Sequence, residues 1–234
     1  MDTDAWKKTA ARAAAERVED GMLVGLGTGT TASEAIKKIA ERKPDCSFVP
    51  SSSSTEKLAR ELRLKLTDLK YGMKLDLMID GADEVDPELN MIKGHGGAHT
   101  REKILAMAAR RVIIVVDRTK LVRRLGERMP VPVEVIPFAH EKTMENLEKI
   151  GGRPMLRTAG GAPFVTDNGN YVVDVKFGRI DKPSELELRI NSMPGVVENG
   201  IFVGLADEVI VGHEGGCCAI RSRGDFAKFI RLKK

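Results

Sequence analysis

The chain has 234 residues, with 38 Lys and Arg against 34 Asp and Glu and a net charge of +4. At 42% hydrophobic and 31% charged residues it carries enough apolar material for a buried core, which excludes disorder as its main state. The small, interleaved charge gives no stripe for nucleic acid, and no apolar run approaches the ~18 residues of a membrane span, so neither partner is expected.

Thr3 to Val18 reads as an alanine-rich helix opened by Asp2 or Thr3, with Ala10, Ala13, Ala14 and Val18 at helical spacing. Met22 to Leu26 is a short apolar strand that runs into the loop Gly25-Leu26-Gly27-Thr28-Gly29-Thr30-Thr31. Thr31 with Glu34 forms a capping box for a helix over Ala32 to Arg42. Ser47 to Pro50 is strand-like, Ser51 to Thr55 is a hydroxyl-rich loop, and Ser53 with Glu56 caps a helix through Leu64. Leu75 to Ile79 is an apolar strand that stops at Asp80, Arg101 to Arg110 is helical, and Val112 to Val116 is a buried strand that stops at Asp117. The Arg110-Arg111 and Arg123-Arg124 pairs read as solvated helix ends.

Near Glu127 the texture changes. Val131 to Ile136 predicts a strand, Glu141 to Ile150 a helix, and Arg153 to Thr158 a strand. Phe164 to Lys176 follows with Asp167-Asn168-Gly169 at its turn, then a helix over Ser184 to Asn191 and a strand over Val196 to Phe202. That order is the split βαβ pattern of a ferredoxin-like module. Glu208 to Val211 is a last strand before a basic tail, and both return to the first part. The expected fold is therefore α/β: a mostly parallel, doubly covered, Rossmann-like sheet with an inserted ferredoxin-like α+β second domain. The predicted division is 1–127 plus 204–234 for the first domain and 128–203 for the second. Three cysteines, Cys46, Cys217 and Cys218, in a chain too long to need stapling, and a start without the apolar core of a signal peptide, predict a cytoplasmic location.

Three polar segments fall at strand ends, where ligands of such sheets sit. The loop Gly25 to Thr31 has Thr30 where a dinucleotide fingerprint has its third glycine, and it has no Walker A lysine. What remains is glycine amides, a helix start, and the hydroxyls of Thr28, Thr30 and Thr31, which suit a small phosphate monoester; a turn serving packing is the alternative. Asp80-Gly81-Ala82-Asp83-Glu84-Val85-Asp86 places four acids in seven residues without the spacing of a calcium loop. Hydrogen bonding to sugar hydroxyls is the preferred reading, beside a solvated loop or a weak Mg²⁺ role. Lys93-Gly94-His95-Gly96-Gly97 precedes a helix start carrying Glu102, and a carboxylate near a lysine and free amides equips general-base chemistry; complementing the helix dipole explains the same glutamate. His95 and His99 stand four apart, but the glycines disfavour the helix that would align them as metal ligands. His213 with Cys217 and Cys218 reads as a tight turn leading to a buried strand.

Together and in this order these segments resemble the ribose-5-phosphate isomerases of type A. The resemblance is carried by Gly25 to Thr31, Asp80-Gly81-Ala82-Asp83-Glu84, Lys93-Gly94 with Thr100-Arg101-Glu102-Lys103, Asp117 to Lys120, and Pro194-Gly195-Val196-Val197-Glu198-Asn199-Gly200. It implies an aldose–ketose isomerase that interconverts D-ribose 5-phosphate and D-ribulose 5-phosphate through an enediolate, with no metal and no organic cofactor. It also implies a homodimer or homotetramer. Carried over by position, Glu102 matches the proton-abstracting base, and Lys93, Asp80 and Asp83 match catalytic polar groups. Thr28, Gly29, Thr30 and Thr31 match the phosphate loop, and Gly81, Ala82, Gly94, His95, Gly96 and Lys120 match further substrate-binding positions. His95 and His99 depart from the glycine and the apolar residue usual at those places. A non-catalytic sugar-phosphate sensor and an acyl-CoA transferase of related fold are the competing expectations.

Overall fold

The computed structural model describes residues 2–231. Residue 1 and residues 232–234, which the expected first domain includes, lie outside the described residues. The first half alternates strand and helix: α1 (Thr3–Ala15), β1 (Leu23–Leu26), α2 (Thr30–Arg42), β2 (Ser47–Pro50), α3 (Ser53–Glu61) and β3 (Leu77–Gly81). The two-residue strands β4 (Glu84–Val85) and β5 (Met91–Ile92) follow, then α4 (His99–Ala108), β6 (Val112–Asp117) and a 3-10 turn over Arg118–Lys120. Asp2 opens α1 by accepting the Ala5 amide at 3.0 Å.

The second half holds β7 (Val131–Val135), α5 (His140–Lys149), β8 (Arg153–Leu156), the small hairpin β9 (Thr158–Ala159) and β10 (Ala162–Pro163), and β11 (Tyr171–Lys176). After it come α6 (Pro183–Asn191), β12 (Val196–Asn199), β13 (Ile201–Phe202), β14 (Glu208–His213), β15 (Gly216–Ile220) and α7 (Arg223–Arg231).

Six strands form the main sheet in the order β15-β14-β6-β3-β1-β2, parallel except for the terminal β14/β15 hairpin. Its strands are apolar on both faces because both are covered. On β3, Leu77 and Ile79 enter one core with Ala14 of α1 and Ile36 and Ile39 of α2. Met78 enters the other with Leu105 of α4 and Phe226 and Phe229 of α7. Each such buried aliphatic side chain contributes about 1.5–3 kcal/mol of transfer free energy. The second sheet is antiparallel, order β12-β7-β11-β8, with α5 and α6 as its crossovers, which is the ferredoxin-like arrangement. Its core of Val131, Val133, Val173, Val175, Leu147 and Ile190 also takes in Ile92, Val122 and Leu125 of the first half. We propose the division 1–127 plus 204–234 and 128–203 on the ground that this third core draws mainly on 128–203.

Local differences from the expected elements have physical reasons. α2 begins at Thr30, one turn position before the predicted capping box, and Glu34 pairs with Lys37 at 2.7 Å instead of capping. Ser52, not Ser53, caps α3 by accepting the Thr55 amide at 3.1 Å. α4 begins at His99 rather than Arg101. Phe164 to Lys176 turns at 167–169 as expected, but only its second arm is a regular strand: β11 starts at Tyr171, and the first arm meets it through the single Val165–Tyr171 bridge. The basic tail contains α7, whose Phe226 and Phe229 are buried three residues apart on one helical face.

Candidate active site

The carboxyl ends of β1, β3 and β6 open into one cleft of about 460 Å³. The fold brings nearly every predicted residue to its wall: Thr28 to Thr31 from the first loop, Gly81 to Asp83 from the end of β3, Lys93 to Gly96, Glu102 of α4, and Lys120 from the 3-10 turn. Asp80 is the exception, fully buried beneath that wall.

The β1–α2 side of the cleft is an uncapped helix start. Gly29 is the N-cap of α2 with φ 113°, a left-handed backbone that favours glycine, and no side chain caps the helix. The first amides of α2 and its positive end are therefore left for an anion, beside the hydroxyls of Thr30 and Thr31. The Thr28 hydroxyl is used elsewhere, against the expectation that it serves the anion. It lies 2.8 Å from both Ser51 Oγ and Ser52 Oγ and 3.1 Å from Thr55 Oγ1. The hydroxyl-rich loop thus holds the phosphate loop in shape rather than reaching the cleft.

Asp80 lies under this loop. A Cβ on Gly27 would come within 2.0 Å of Asp80 Oδ1, so only glycine lets the two meet. That oxygen accepts the Gly81 amide at 2.7 Å and the Thr28 amide at 3.2 Å, while Oδ2 stands 2.9 Å from Lys93 Nζ. Asp80 is fully buried, with Oδ1 on the backbone amides of the loop and Oδ2 beside the Lys93 ammonium.

Lys93 Nζ also stands 2.9 Å from Glu102 Oε2 and donates to Gly81 O at 2.7 Å. Glu102 and Lys93 are only 4% and 3% exposed, so two carboxylates share one ammonium in a dry floor. Burial pushes the Glu102 carboxyl up to about 7, aided by the Asp80 charge and opposed by Lys93. Burial likewise raises Asp80. Desolvation alone would lower Lys93, but its two carboxylate neighbours outweigh it and hold the ammonium charged. The raised basicity of Glu102 is thus built into the protein itself. Asp83 differs from Asp80 in lining the cleft, with one oxygen accepting the His95 amide at 3.1 Å.

A model of the family described as ribose 5-phosphate isomerase A (phosphoriboisomerase A) matches residues 47–216. The chain belongs to that family. Ribose-5-phosphate isomerase A of Gloeobacter violaceus is 50% identical over 220 residues, which cover 92% of this chain and 96% of that protein. The Synechococcus protein of the same name is 49% identical over 217 residues, 90% of this chain and 94% of its own. Among solved structures, a D-ribose-5-phosphate isomerase in complex with phospho-erythronic acid overlays with a TM-score of 0.92 at 42% identity, covering 94% of this chain and 100% of that one. Ribose 5-phosphate isomerase A of Methanocaldococcus jannaschii gives 0.89 at 40% identity, covering 94% and 99%.

In this isomerase-family site four further residues line the cleft: Thr3 and Lys7 of α1, Asp117 and Thr119. Thr3 and Lys7 are four apart and share a helix face, a sequence signal that shows their pairing but not what they face. Asp117 accepts the Thr119 amide at 2.9 Å and so shapes the turn that carries Lys120. The two histidines occupy different environments. His95 is exposed at the cleft, whereas His99 is fully buried under Gly94, its imidazole pushed down to about 4 by desolvation and therefore neutral. Among the described residues no group of three or more His, Cys, Asp or Glu side chains is placed to hold a metal ion.

Proposed function

We propose that this chain interconverts D-ribose 5-phosphate and D-ribulose 5-phosphate, with Glu102 as the group that carries the proton. Family membership supplies the reaction, and the competing sensor and acyl-CoA transferase gain no support from relatives named as isomerases. The observation that carries the assignment is the buried Glu102 carboxylate 2.9 Å from a fixed ammonium at the cleft floor.

In the open-chain aldose the phosphate occupies the uncapped start of α2, with Thr30, Thr31, Lys7 and Lys120 around it. That anchor positions the two reacting carbons over Glu102. The carboxylate removes the hydrogen of carbon 2 as a proton, the C–H pair becomes the bond between carbons 1 and 2, and the carbonyl π pair moves to oxygen 1. Lys93 and the glycine-run amides stabilise the charge on the enediolate. A proton passes from oxygen 2 to oxygen 1, and Glu102 returns its proton to carbon 1, leaving the ketone at carbon 2. Asp83 keeps one carboxylate oxygen for a sugar hydroxyl. Nothing is consumed, so the step needs no co-reactant.

The test is turnover of a panel of aldose phosphates in deuterium oxide, read by NMR, for the native chain and for Glu102→Gln. The expected result is ribose 5-phosphate turnover with solvent label at carbon 1 of the ketose, and a loss of about 10²–10⁴-fold in the variant. A fully active, folded variant would remove Glu102 as the proton shuttle.

The assembly and location are part of the same proposal. Ile104 and Met107 of α4 and Leu188 of α6 are exposed, Lys103 of α4 pairs with Glu187 of α6, and these apolar side chains support a homodimer or homotetramer. Low cysteine usage supports a cytoplasmic location, and among the described residues no helix is long and apolar enough to cross a membrane.

A further inference from the structure

The run 94–97 is a single tight turn, closed by the Gly97 amide donating to Gly94 O at 3.0 Å, and its first two carbonyls are also gripped from one side by the second sheet. Arg157, just past β8, donates through Nη1 to Gly94 O at 3.0 Å and to His95 O at 2.9 Å. Its other edge is fixed, Nε and Nη2 pairing with the two carboxylate oxygens of Asp174 on β11 at 2.8 and 2.5 Å. Phe164 packs over the guanidinium at 5.7 Å and also closes on Gly97, where a Cβ would lie 2.4 Å from its ring.

Peptide geometry converts that grip into a direction. A trans peptide points its N–H opposite its C=O. With Gly94 O drawn to Arg157, the His95 amide faces away and reaches Asp83 at 3.1 Å. With His95 O drawn the same way, the Gly96 amide faces away too, and Gly96 lines the cleft. Among the described residues no acceptor takes that amide.

We propose that Arg157 is a positioning residue for the isomerisation: it fixes the two peptides from Gly94 to Gly96 so that the Gly96 amide donates to the enediolate oxygen. This rests on the isomerase reading above and deepens it, because the donor for the developing charge is aimed by a side chain of the ferredoxin-like module. A planar fork is required, since one group must serve two carbonyls and a carboxylate together, which an ammonium on a flexible stem cannot do.

The experiment compares the native enzyme with Arg157→Lys and Asp174→Asn for kcat, KM, melting temperature and inhibition by two probes. Phospho-erythronic acid carries a carboxylate where enediolate charge develops, and ribitol 5-phosphate carries a neutral alcohol there. The expected result for both variants is kcat lower by about 10- to 100-fold, short of the ~10²–10³-fold cost of deleting such a donor, with KM within about threefold. Phospho-erythronic acid should weaken by the same factor as kcat while ribitol 5-phosphate binds as before. Unchanged kcat in either folded variant, or equal weakening of both probes, overturns the positioning role. Native enzyme that fails to turn over ribose 5-phosphate overturns the isomerase reading instead, so the two failures are told apart. Should Arg157→Lys not fold, Asp174→Asn, which frees the guanidinium while keeping its charge, decides the matter alone.

Discussion

Two buried carboxylates flanking one ammonium make a site in which ionisation is negotiated among three groups rather than owned by one. Because burial holds the Glu102 carboxyl near 7, kcat/KM should rise with pH through that value as the base loses its proton, measured by initial rates from pH 5 to 9. A flat profile across that range would show that another group abstracts the proton. The same shift bears on stability. Between the ordinary glutamate value of 4.5 and about 7 the folded chain keeps a proton the unfolded chain has released, so this group's contribution to stability declines as pH rises through that window. Lys93→Met leaves Asp80 and Glu102 buried without their cation, and should destabilise the fold by about 3–5 kcal/mol by denaturant titration at neutral pH. A loss under about 1 kcal/mol would mean that the carboxylates simply take up protons. The identities of Lys93 and Glu102 were legible in the sequence because chemistry names them and the resemblance places them. Asp80's full burial was not, since an acid at a strand end reads the same whether it faces ligand or floor. Lys7 was invisible for a related reason: its place in the cleft follows from how α1 lies on the sheet.

Short polar loops at strand ends gave the elements their readable boundaries, and Ser47–Pro50 was found as predicted. Elements without a period escaped: β4 and β5 span two residues each, too few to show alternation, and the strand expected over Val196 to Phe202 is two, β12 in the second sheet and β13 against β5. α7 was hidden because its charged residues mask the Phe226/Phe229 pair, and α4 began early because no polar cap residue marks Ala98. The uncapped start of α2 is the opposite case, a missing cap that marks a binding element. The β1–α2 loop depends on the close approach of Gly27 to Asp80. Gly27→Ala should displace the Asp80 carboxylate, weakening inorganic phosphate binding in calorimetry and lowering turnover together. Loss of phosphate affinity with full turnover would separate the loop from the catalytic floor.

At the scale of the whole molecule, the two sheets share α4. Glu102 of α4 faces the cleft, while Lys103 beside it reaches Glu187 of α6 at 2.9 Å, Glu198 of β12 at 2.8 Å and Ile201 O at 2.8 Å. Thr100 donates to the buried Glu134 of β7, which also accepts from Thr166 at 2.9 Å and Asn170 at 2.8 Å. The rotation of α4, and so the aim of its glutamate, is set by residues more than thirty positions away, which no local pattern could reveal. The alternation of apolar strands with helices did reveal both sheets. The outer face of the same helix is apolar, and Met107→Glu with Leu188→Glu should convert an oligomer to monomers in sedimentation velocity; unchanged sedimentation would place the contact elsewhere. One close approach has a bearing on synthesis. A Cβ at Gly212 would lie 1.9 Å from Trp6 O, so the first helix rests directly on the β14 backbone. Synthesis of α1 precedes that of β14, so α1 must wait for this strand, and a nascent chain halted before it lacks the platform that brings Lys7 to the cleft.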